Sequence, residues 1–320
     1  MSEHNRVDKE EVPFMYKILC LNNISQVGLS HLTDEFELTD DIAQADAILV
    51  RSADMLSMDI PDNVKVIARA GAGYNNIPTA ALAERGIPVF NTPGANANGV
   101  KELVLCGMLL AARDVLGGIE WCKENADDPA IGKSAEKAKK AFAGGEIMGK
   151  MLGVIGLGAI GKLVVRSAEA LGMKTIGYDP YLPADAAAAI SPDMTFTAEL
   201  ADIYQHCDYI TIHVPAMEGT IGMIDAAACE QMKPGCVFLN FSRDTLVDAE
   251  AMTQALASGK VRKYVTDFAT PAVMAMENAI VLPHLGASTA ESEDNCAIMA
   301  VEDVMTYLKT GVRNHCVNMK

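Results

Sequence analysis

One stretch of glycines has the spacing that binds the phosphates of a nucleotide. The segment Gly156-Leu-Gly158-Ala-Ile-Gly161 follows the apolar run 151–155 and opens an amphipathic helical pattern that Gly172 closes. Glycines in such a strand–turn–helix unit allow a tight turn, close approach of the backbone to a pyrophosphate, and close helix–strand packing. The helix start adds N–H groups and the positive end of its dipole. The pattern predicts a dinucleotide site, with contacts from Gly156, Gly158, Ala159, Ile160 and Gly161.

An acidic residue after the next strand bears on which dinucleotide is bound. Asp179 follows the strand pattern 174–178, where a carboxylate can accept hydrogen bonds from both ribose hydroxyls. No arginine comes next, so a 2′-phosphate would meet uncompensated negative charge. The residues therefore favour NAD over NADP. A plain βα turn would explain the glycines alone, but not a strand, a helix, a second strand and an acid in this order.

Two further side chains have the chemistry needed for redox work on a 2-oxo acid. Arg243 comes soon after the apolar strand pattern 236–240, and His284 soon after 279–282. An arginine can hold a carboxylate in a forked pair and polarise the neighbouring carbonyl, and a histidine can pass the proton that accompanies a hydride. Arg243 and His284 fit these roles, although a solvated strand end and a satisfied core histidine are the plainer alternatives. His213 is interpreted as structural rather than catalytic.

Strands that alternate with helices must position these groups. Apolar strand patterns occur at 16–20, 47–50, 64–67, 88–90, 151–155, 174–178, 209–213, 236–240, 263–266 and 279–282. This alternation predicts parallel sheets, with ligands bound beyond the carboxyl ends of the strands. We therefore expect an α/β protein of two doubly wound parallel-sheet (Rossmann-like) domains with a cleft between them. The helical patterns at 98–116 and 289–310 connect the two.

The same patterns divide the chain into domains. We expect a disordered leader at 1–14, a substrate-binding domain at 15–97 plus 288–320, and an NAD-binding domain at 98–287. Residues 119–145 are charged and helical. They form either an arm at a subunit interface or a solvated helical excursion.

Composition argues against several classes of protein. The chain has 320 residues, of which 50% are hydrophobic, enough for two domains. A formal net charge of −16 argues against partners such as nucleic acid or an anionic membrane. No apolar run approaches the ~20 residues of a membrane span. The 8 cysteines form no C-x-x-C pair, which suits reduced thiols in a cytoplasmic protein, and no metal site is expected.

Six motifs, in order, resemble those of the D-isomer-specific 2-hydroxy acid dehydrogenases from about residue 15 to the end. They are Gly71-Ala-Gly73-Tyr-Asn-Asn-Ile77, Asn91-Thr-Pro-Gly94, Val154-Ile-Gly-Leu-Gly-Ala-Ile-Gly161, His213-Val-Pro215, Asn240-Phe-Ser-Arg243 and Leu282-Pro-His284-Leu-Gly-Ala-Ser-Thr289. Within the family the chain looks most like the short phosphoglycerate dehydrogenases, which lack C-terminal regulatory domains. The resemblance also implies a homodimer that acts on a small anionic substrate.

The resemblance implies a role for each matched residue. Arg243 would bind the carboxylate and carbonyl of the substrate, and His284 would be the acid/base. Asp267 would anchor the nicotinamide carboxamide. The other implied substrate-binding residues are Arg51 and Ser52, for a phosphate, Ala72 and Gly73, for the carboxylate, and Asn98. The other implied cofactor-binding residues are His213, Pro215, Thr220, Ser242 and Gly286.

One departure from the family concerns the catalytic histidine. The family has a glutamate soon after the aspartate matched by Asp267, but residues 268–276 contain no acid and Glu277 lies at the wrong end of the next strand. Glu291 or Glu293 could supply the carboxylate instead. Because a nearby carboxylate raises the pKa of a histidine, its absence predicts that carbonyl reduction is fastest at a lower pH than in relatives that have it.

A second departure is Asp244, where many relatives have glycine. Asp244 either pairs with Arg243 or, as we expect, caps the helix that follows.

The residues, together with the family resemblance, leave three functions open. The first is NAD-dependent oxidation of 3-phosphoglycerate to 3-phosphohydroxypyruvate, for serine biosynthesis. The second is reduction of an unphosphorylated 2-oxo acid such as hydroxypyruvate or glyoxylate. The third is a non-catalytic, NAD-sensing protein. Arg51 discriminates between the first two, because only a phosphorylated substrate needs it.

Overall fold

The structure, a computed structural model, describes residues 15–319, so the predicted leader at 1–14 lies outside the described residues. The described chain divides into two compact units. The first is made of the residues up to Asn96 and those from Ala290 onward, and the second is Ala97–Thr289. Each unit contains one parallel β-sheet with helices. The predicted class of two α/β, Rossmann-like domains is therefore confirmed.

The first unit has a sheet of five parallel strands in the order β2-β1-β3-β4-β5. Its strands are β1 Tyr16–Cys20, β2 Phe36–Thr39, β3 Ala47–Val50, β4 Val66–Arg69 and β5 Val89–Phe90, and its helices are α1 Gln26–Leu29, α2 Thr79–Glu84 and the long α12 Ala290–Thr310. Apolar side chains of α12 complete the core on one face, where Ala297 and Val301 join Ile18, Leu49 and Val66.

The residues after α12 pair with the edge of this sheet. Val317 donates its backbone N–H to the carbonyl of Val89 (2.8 Å). The side-chain oxygen of Asn318 accepts from the N–H of Val89 (2.8 Å), and its amide nitrogen donates to the carbonyls of Thr79 and Ile87 (3.1 and 3.0 Å). Edge strand β5 is therefore covered by the same segment of chain that supplies α12 to the core.

The second unit has a sheet of seven parallel strands in the order β12-β11-β10-β9-β6-β7-β8. Its strands are β6 Met151–Ile155, β7 Lys174–Tyr178, β8 Thr195–Thr197, β9 Tyr209–Ile212, β10 Cys236–Asn240, β11 Val261–Thr266 and β12 Ala279–Val281. Its helices are α3 Ala97–Ala112, α4 Val115–Glu124, α5 Ile131–Ala138, α6 Ala159–Ala170, α7 Ala184–Ala188, α8 Leu200–His206, α9 Ala226–Gln231, α10 Ala249–Ala257 and α11 Pro271–Met274.

Strand β10 shows why the sequences of these strands are continuous apolar runs. Its five residues are all buried. Val237 and Leu239 belong to the core on one face of the sheet, and Phe238 belongs to the core on the other. Successive side chains of a strand point to opposite faces, so a strand covered on both faces has no polar alternation.

The strand order reverses between β6 and β9, the position where open parallel sheets bind their ligands.

Two strands were not predicted from the sequence. Both β2 and β8 lie at a sheet edge and are short, and most of their residues are not buried. Their sequences, FELT and TFT, therefore lack the apolar run by which the inner strands were recognised. Strand β4 is Val66–Arg69 rather than the predicted 64–67, so Arg69 is the last residue of the strand.

The predicted single helix at 98–116 is wrong, because the structure ends α3 at Ala112 and begins α4 at Val115. Asp114 separates the two helices, because it is the N-cap residue of α4. Its carboxylate accepts from the N–H of Gly117 (3.0 Å), as an N-cap residue does. The apolar periodicity continues through the break, which is why the pattern appeared as one helix.

Residues 119–145 form the end of α4, then α5, then a single-turn 3₁₀ helix at Lys139–Phe142. They are mostly exposed, and the rings of Trp121 and Phe142 lie 6.5 Å apart. That this arm contacts a second subunit stays a prediction. Within residues 15–319, no helix has the length and apolar character that would let it cross a membrane.

Candidate active site

The glycine-rich loop joins β6 to α6 as the sequence predicted. Gly156 has φ +93°, a left-handed conformation that favours glycine, and Gly158 is the N-cap residue of α6. A Cβ on Gly161 would lie 1.9 Å from the carbonyl oxygen of Gly156, so no larger residue fits there. Ala159 and Ile160 occupy the first turn of the helix, whose leading N–H groups have no partner within the helix. The loop therefore offers backbone donors to a phosphate.

Helix α6 also ends as the sequence predicted. Gly172 has φ +79° and donates its N–H to the carbonyl of Glu169 (2.9 Å), while Met173 donates to that of Ala168 (3.0 Å). These two hydrogen bonds are the Schellman arrangement that terminates a helix. The helix that carries the phosphate-binding turn is thus capped at both ends by glycine.

Asp179 stands beside the glycine loop at the end of β7. One carboxylate oxygen accepts from the N–H of Leu157 (2.9 Å) and the other from that of Tyr181 (3.0 Å). Each oxygen of an ionised carboxylate retains a further acceptor site. The side chain is therefore oriented by the backbone and can still accept hydrogen bonds from ribose hydroxyls.

His213 follows β9, and its backbone N–H continues the sheet by donating to the carbonyl of Ile155 (2.7 Å). Its ring Nε2 lies 3.0 Å from Oγ1 of Thr211, and its ring Nδ1 is buried without a hydrogen-bond partner among the described residues. Burial lowers the pKa of His213 to about 3. A ring that stays neutral cannot supply a proton near neutral pH, which agrees with the structural role inferred from the sequence.

The segments after β9 and β10 are tied together. Thr220 donates its hydroxyl to the carbonyl of Pro215 (2.6 Å) and accepts from the N–H of Met217 (2.9 Å), which closes the loop between them. Ser242 donates its hydroxyl to the carbonyl of Val214 (2.6 Å). These residues, predicted to contact the cofactor, therefore fix the loop backbone at the carboxyl ends of the two strands.

Asp267 lies directly after β11 and is only 3% exposed. Its Oδ2 accepts from the N–H of Gly286 (2.9 Å), whereas Oδ1 is buried without a partner in the part of the chain that the structure describes. Burial raises the pKa of Asp267, and the hydrogen bond from Gly286 and the charges of His284 and Arg243 act in the opposite direction. An amide N–H of a bound nicotinamide is the kind of donor that the orphaned oxygen needs.

His284 is held in an unusual backbone conformation. Its φ is +50°, in the left-handed region that residues other than glycine rarely adopt. Its backbone N–H donates to the carbonyls of Asp267 (2.9 Å) and Leu282 (3.1 Å). The exposed ring meets the ring of Phe268 edge-on, with centroids 5.4 Å apart. Among residues 15–319, no carboxylate forms a hydrogen bond or ion pair with this imidazole.

Arg243 follows β10 and is exposed. Its Nη1 donates to the carbonyl of Ser242 (2.6 Å), and the buried side chain of Asn240 donates to the carbonyl of Arg243 (2.8 Å). Arg243 and His284 both lie close enough to Asp267 for their charges to act on its carboxyl group. The structure therefore gathers these three predicted site residues at the carboxyl ends of neighbouring strands.

The expected capping role of Asp244 is wrong. Asp244 begins a short 3₁₀ turn, Asp244–Leu246, and the helix that follows is capped by Asp248, whose Oδ1 accepts from the N–H of Ala251 (2.9 Å). Asp244 forms no ion pair with Arg243 in the described chain. Both aspartates lie within five residues of the first residue of the helix, Ala249, so the sequence alone did not show which one caps it.

In the first unit, the residues after β3 are fixed by an asparagine that sequence reasoning missed. The side-chain oxygen of Asn22 accepts the backbone N–H groups of Arg51, Ser52 and Ala53 (2.9, 3.0 and 3.0 Å). The guanidinium of Arg51 forms an ion pair with Glu293 (Nη2–Oε1 2.5 Å). Glu293, considered from the sequence as a partner for His284, is therefore paired with Arg51.

A second arginine, Arg69, lies beside Arg51. Its Nε donates to the carbonyl of Arg51 (3.1 Å), and its guanidinium covers Gly71, where a Cβ would be 1.9 Å from Nη1. Sequence reasoning assigned Arg69 no role, although its position at a strand end was a signal. The carbonyl of Ala72 accepts from the side chain of Asn91 (2.7 Å), which fixes the loop that continues to Gly73.

Asn98 lies in the first turn of α3, in the second unit, and donates to the side chain of Glu102 (2.8 Å). It is exposed, and its substrate role stays a prediction. No group of three or more His, Cys, Asp or Glu side chains suited to a metal occurs in the described residues.

Three independent features of the second unit are suited to binding NAD. The glycine loop excludes side chains where a pyrophosphate must approach. Asp179 presents an oriented carboxylate beside that loop. Asp267 holds a buried oxygen without a donor. These residues would hold the phosphates, the ribose and the carboxamide respectively.

Comparison with known proteins places the chain in one family. The sequence profile described as "D-isomer specific 2-hydroxyacid dehydrogenase, NAD binding domain" matches residues 105–286, which confirms the predicted cofactor. A D-3-phosphoglycerate dehydrogenase of Methanocaldococcus jannaschii is 33% identical over 311 residues, 94% of this chain and 57% of that protein. A hydroxypyruvate reductase of Thermotoga maritima is 35% identical over 298 residues, 88% of this chain and 91% of that protein.

A solved structure shows the same fold. The NAD⁺-bound 3-phosphoglycerate dehydrogenase of Entamoeba histolytica has a TM-score of 0.75 at 24% identity, and the match covers 95% of this chain and 99% of that one. The chain spans just over half the length of two longer phosphoglycerate dehydrogenases that it matches, 57% of the Methanocaldococcus jannaschii protein and 56% of the Rattus norvegicus protein. The family match and the residues that it covers lead to one conclusion: the chain belongs to the D-isomer specific 2-hydroxyacid dehydrogenase family.

Proposed function

We propose that this protein is an NAD-dependent dehydrogenase that oxidises 3-phosphoglycerate to 3-phosphohydroxypyruvate in serine biosynthesis. The observation that carries the proposal is the placement of Arg51 and Arg69 together at the ends of adjacent strands. In a chain of net charge −16, two neighbouring guanidinium groups at a strand end are suited to a multiply charged anion. Relatives named D-3-phosphoglycerate dehydrogenase match 94% of the chain, which supports the same substrate.

The chemistry is proposed to use Arg243 and His284. Arg243 would pair with the substrate carboxylate and draw electron density from the oxygen on C2. His284 would accept the proton of the C2 hydroxyl while the hydride leaves C2, and would return a proton in the reverse reaction. NAD supplies the acceptor of the hydride when it is bound. The charge of Arg243 is partly offset by Asp267, whose carboxyl group lies within electrostatic range of both side chains.

A second candidate is the reduction of an unphosphorylated 2-oxo acid such as hydroxypyruvate or glyoxylate. One specific observation favours it: Arg51 is already paired with Glu293, so this guanidinium does not need a substrate phosphate for its charge to be balanced. The Thermotoga maritima relative named hydroxypyruvate reductase matches most of both chains. A non-catalytic, NAD-sensing role is disfavoured because Arg243 and His284 both lie beside Asp267.

We also propose a homodimer in the cytoplasm. Helix α4, which leads into the arm, exposes apolar side chains, with Val115, Leu116 and Ile119 each 40–47% exposed. An apolar strip of this kind is typical of a surface that another protein covers. Light scattering with and without Leu116→Glu and Ile119→Glu would test the assembly, and a dimer that survives both charges would remove the arm from the interface.

The substrate assignment is tested by comparing turnover of two oxo acids that differ only in the phosphate. With NADH, 3-phosphohydroxypyruvate and hydroxypyruvate are each reduced over a range of concentrations, and kcat/KM is measured from the loss of NADH absorbance. We expect the phosphorylated acid to be the better substrate by at least tenfold, the scale of one charge-assisted contact. A preference for hydroxypyruvate would replace the first candidate with the second.

A further inference from the structure

The first turn of α12 places a carboxylate on the arginine proposed to bind phosphate. Glu293 Oε1 lies 2.5 Å from Arg51 Nη2, and the two side chains are 41% and 39% exposed. The backbone of Arg51 is fixed by Asn22. We therefore expect an incoming anion to rearrange the side chains of Arg51 and Glu293 rather than the loop backbone.

The position of Glu293 is set by the packing of its helix. The neighbouring Asp294 accepts a hydrogen bond from the hydroxyl of Ser25, the N-cap residue of α1. Helices α1 and α12 are in close contact, since a Cβ on Gly28 would lie 2.4 Å from that of Ala297. The hydrogen bond of Asp294 and the close packing of α1 against α12 therefore place the carboxylate of Glu293 beside Arg51.

Among the described residues, two arginines and Glu293 act electrostatically on one buried thiol in this region. Cys296, one turn after Glu293, is buried. The charges of Arg51, Arg69 and Glu293 all act on the pKa of its thiol, so the three groups lie near it. The three charged groups therefore cluster at one end of the first unit. A carboxylate within such a cluster reduces the attraction that the two guanidinium groups exert on an incoming phosphate.

We propose that Glu293 is an internal competitor of the substrate phosphate for Arg51, and that it sets how strongly the site prefers phosphorylated over unphosphorylated acids. The inference rests on the proposed function, because it assumes that Arg51 receives a phosphate. Glu293 is a specificity-determining residue that acts through Arg51, and it has no part in hydride or proton transfer.

The outcome of this competition depends on how strongly Arg51 pairs with Glu293 and how strongly it pairs with phosphate. An ion pair between half-exposed side chains shifts an equilibrium by no more than about fivefold. A charge-assisted pair between arginine and phosphate shifts it by about tenfold to more than a hundredfold. Phosphate therefore displaces Glu293, at a cost of roughly twofold to fivefold in apparent affinity. An unphosphorylated acid leaves the pair intact and carries no such cost.

The test is Glu293→Gln, which keeps the shape of the side chain and removes its charge. We expect the KM for 3-phosphohydroxypyruvate to fall about twofold to fivefold with kcat unchanged, and the KM for hydroxypyruvate to stay the same. Inorganic phosphate should inhibit hydroxypyruvate reduction more strongly by the same factor. Glu293→Asp, which retains the charge, should resemble the unmodified protein.

The matched control is Glu302→Gln, which makes the same change of charge more than two turns further along α12, where Glu302 pairs with His31 (3.3 Å). If this variant lowers the KM as much as Glu293→Gln does, the effect is one of net charge and the proposal is wrong. A rise in KM in Glu293→Gln would instead mean that Glu293 holds Arg51 ready for phosphate, and would also overturn it. So would an unchanged KM together with unchanged inhibition by phosphate.

The same experiment separates this inference from the proposed function. If the protein does not reduce 3-phosphohydroxypyruvate at all, the proposed function fails. Inhibition by inorganic phosphate then still reports on Arg51. Stronger inhibition of Glu293→Gln than of Glu302→Gln would support the competition, and equal inhibition would reject it.

Discussion

Replacing Arg51 by alanine is the most informative perturbation of the proposed substrate site. The substitution removes a guanidinium whose backbone is held by Asn22, so the loop after β3 should keep its conformation. It also releases Glu293 from its ion pair. The change therefore removes one cation and leaves one uncompensated carboxylate in the same place.

The magnitude follows from the two interactions in which Arg51 takes part. A charge-assisted pair with phosphate is worth roughly 1.5–3 kcal/mol. The ion pair with Glu293, which is given up on binding, offsets up to about 1 kcal/mol of this, because both side chains are near 40% exposed and screened by water. A net loss of about 0.5–3 kcal/mol corresponds to roughly twofold to more than a hundredfold in kcat/KM.

The assay measures kcat/KM for 3-phosphohydroxypyruvate and for hydroxypyruvate from NADH absorbance. We expect the loss on the phosphorylated acid only, with hydroxypyruvate changed by less than about twofold, the scale of a surface charge. The control is Arg85→Ala, which removes an arginine of the same unit that pairs with Asp62 (2.9 Å). Equal losses on both acids in Arg51→Ala would show that Arg51 does not bind phosphate.

Three further predictions concern the second unit. His284→Asn, chosen because asparagine tolerates positive φ, should lower kcat by about 10²–10⁴ with NADH binding retained; a smaller loss would remove His284 as the acid/base. Asp267→Asn should weaken NAD binding by about tenfold or more in calorimetry, because the orphaned oxygen loses its charge, and an unchanged Kd would contradict the carboxamide assignment. The pKa of His213 is about 3 in the folded protein and about 6.5 in an unfolded chain, so the unfolded state binds the proton first as the pH falls. The contribution of the neutral His213 ring to the free energy of unfolding is therefore complete above pH 6.5 and is lost as the pH falls from 6.5 to 3, by about 2 kcal/mol at pH 5. Chemical denaturation over this pH range tests it: if His213→Gln loses as much stability as the unmodified protein, the prediction is wrong.

Local patterns predicted the parts of the site that are local in sequence. The unit from β6 to Asp179 is one strand, one turn, one helix and a second strand, and the hydrogen bonds that shape its glycine turn and cap its helix join residues within this segment. Gly156, Gly161 and Gly172 each stand where a positive φ or a close approach requires glycine. Such requirements act on a single position, so the residue type alone reveals them.

Contacts between distant residues could not be predicted in this way. The ion pair of Arg51 with Glu293 joins residues 242 positions apart, and the sequence offered His284 as an equally reasonable partner for that carboxylate. Arg69 was given no role because its hydrogen bond to the carbonyl of Arg51, 18 positions away, depends on the pairing of two strands and not on a local pattern. Edge strands β2 and β8 were missed because only one of their long sides pairs with the sheet, which leaves their side chains partly in water.

The first unit takes its residues from two stretches of chain that are made far apart in time. Its sheet comes from residues before Asn96, but Ala297 and Val301 of α12 complete the core, and Asn318 pairs with the edge beside Val89. While the ribosome is still translating the second unit, the early strands have one apolar face and one edge uncovered. Newly made chains should therefore pass through a stage that depends on chaperones and is prone to aggregation, and deletion of residues 290–319 would make that stage permanent.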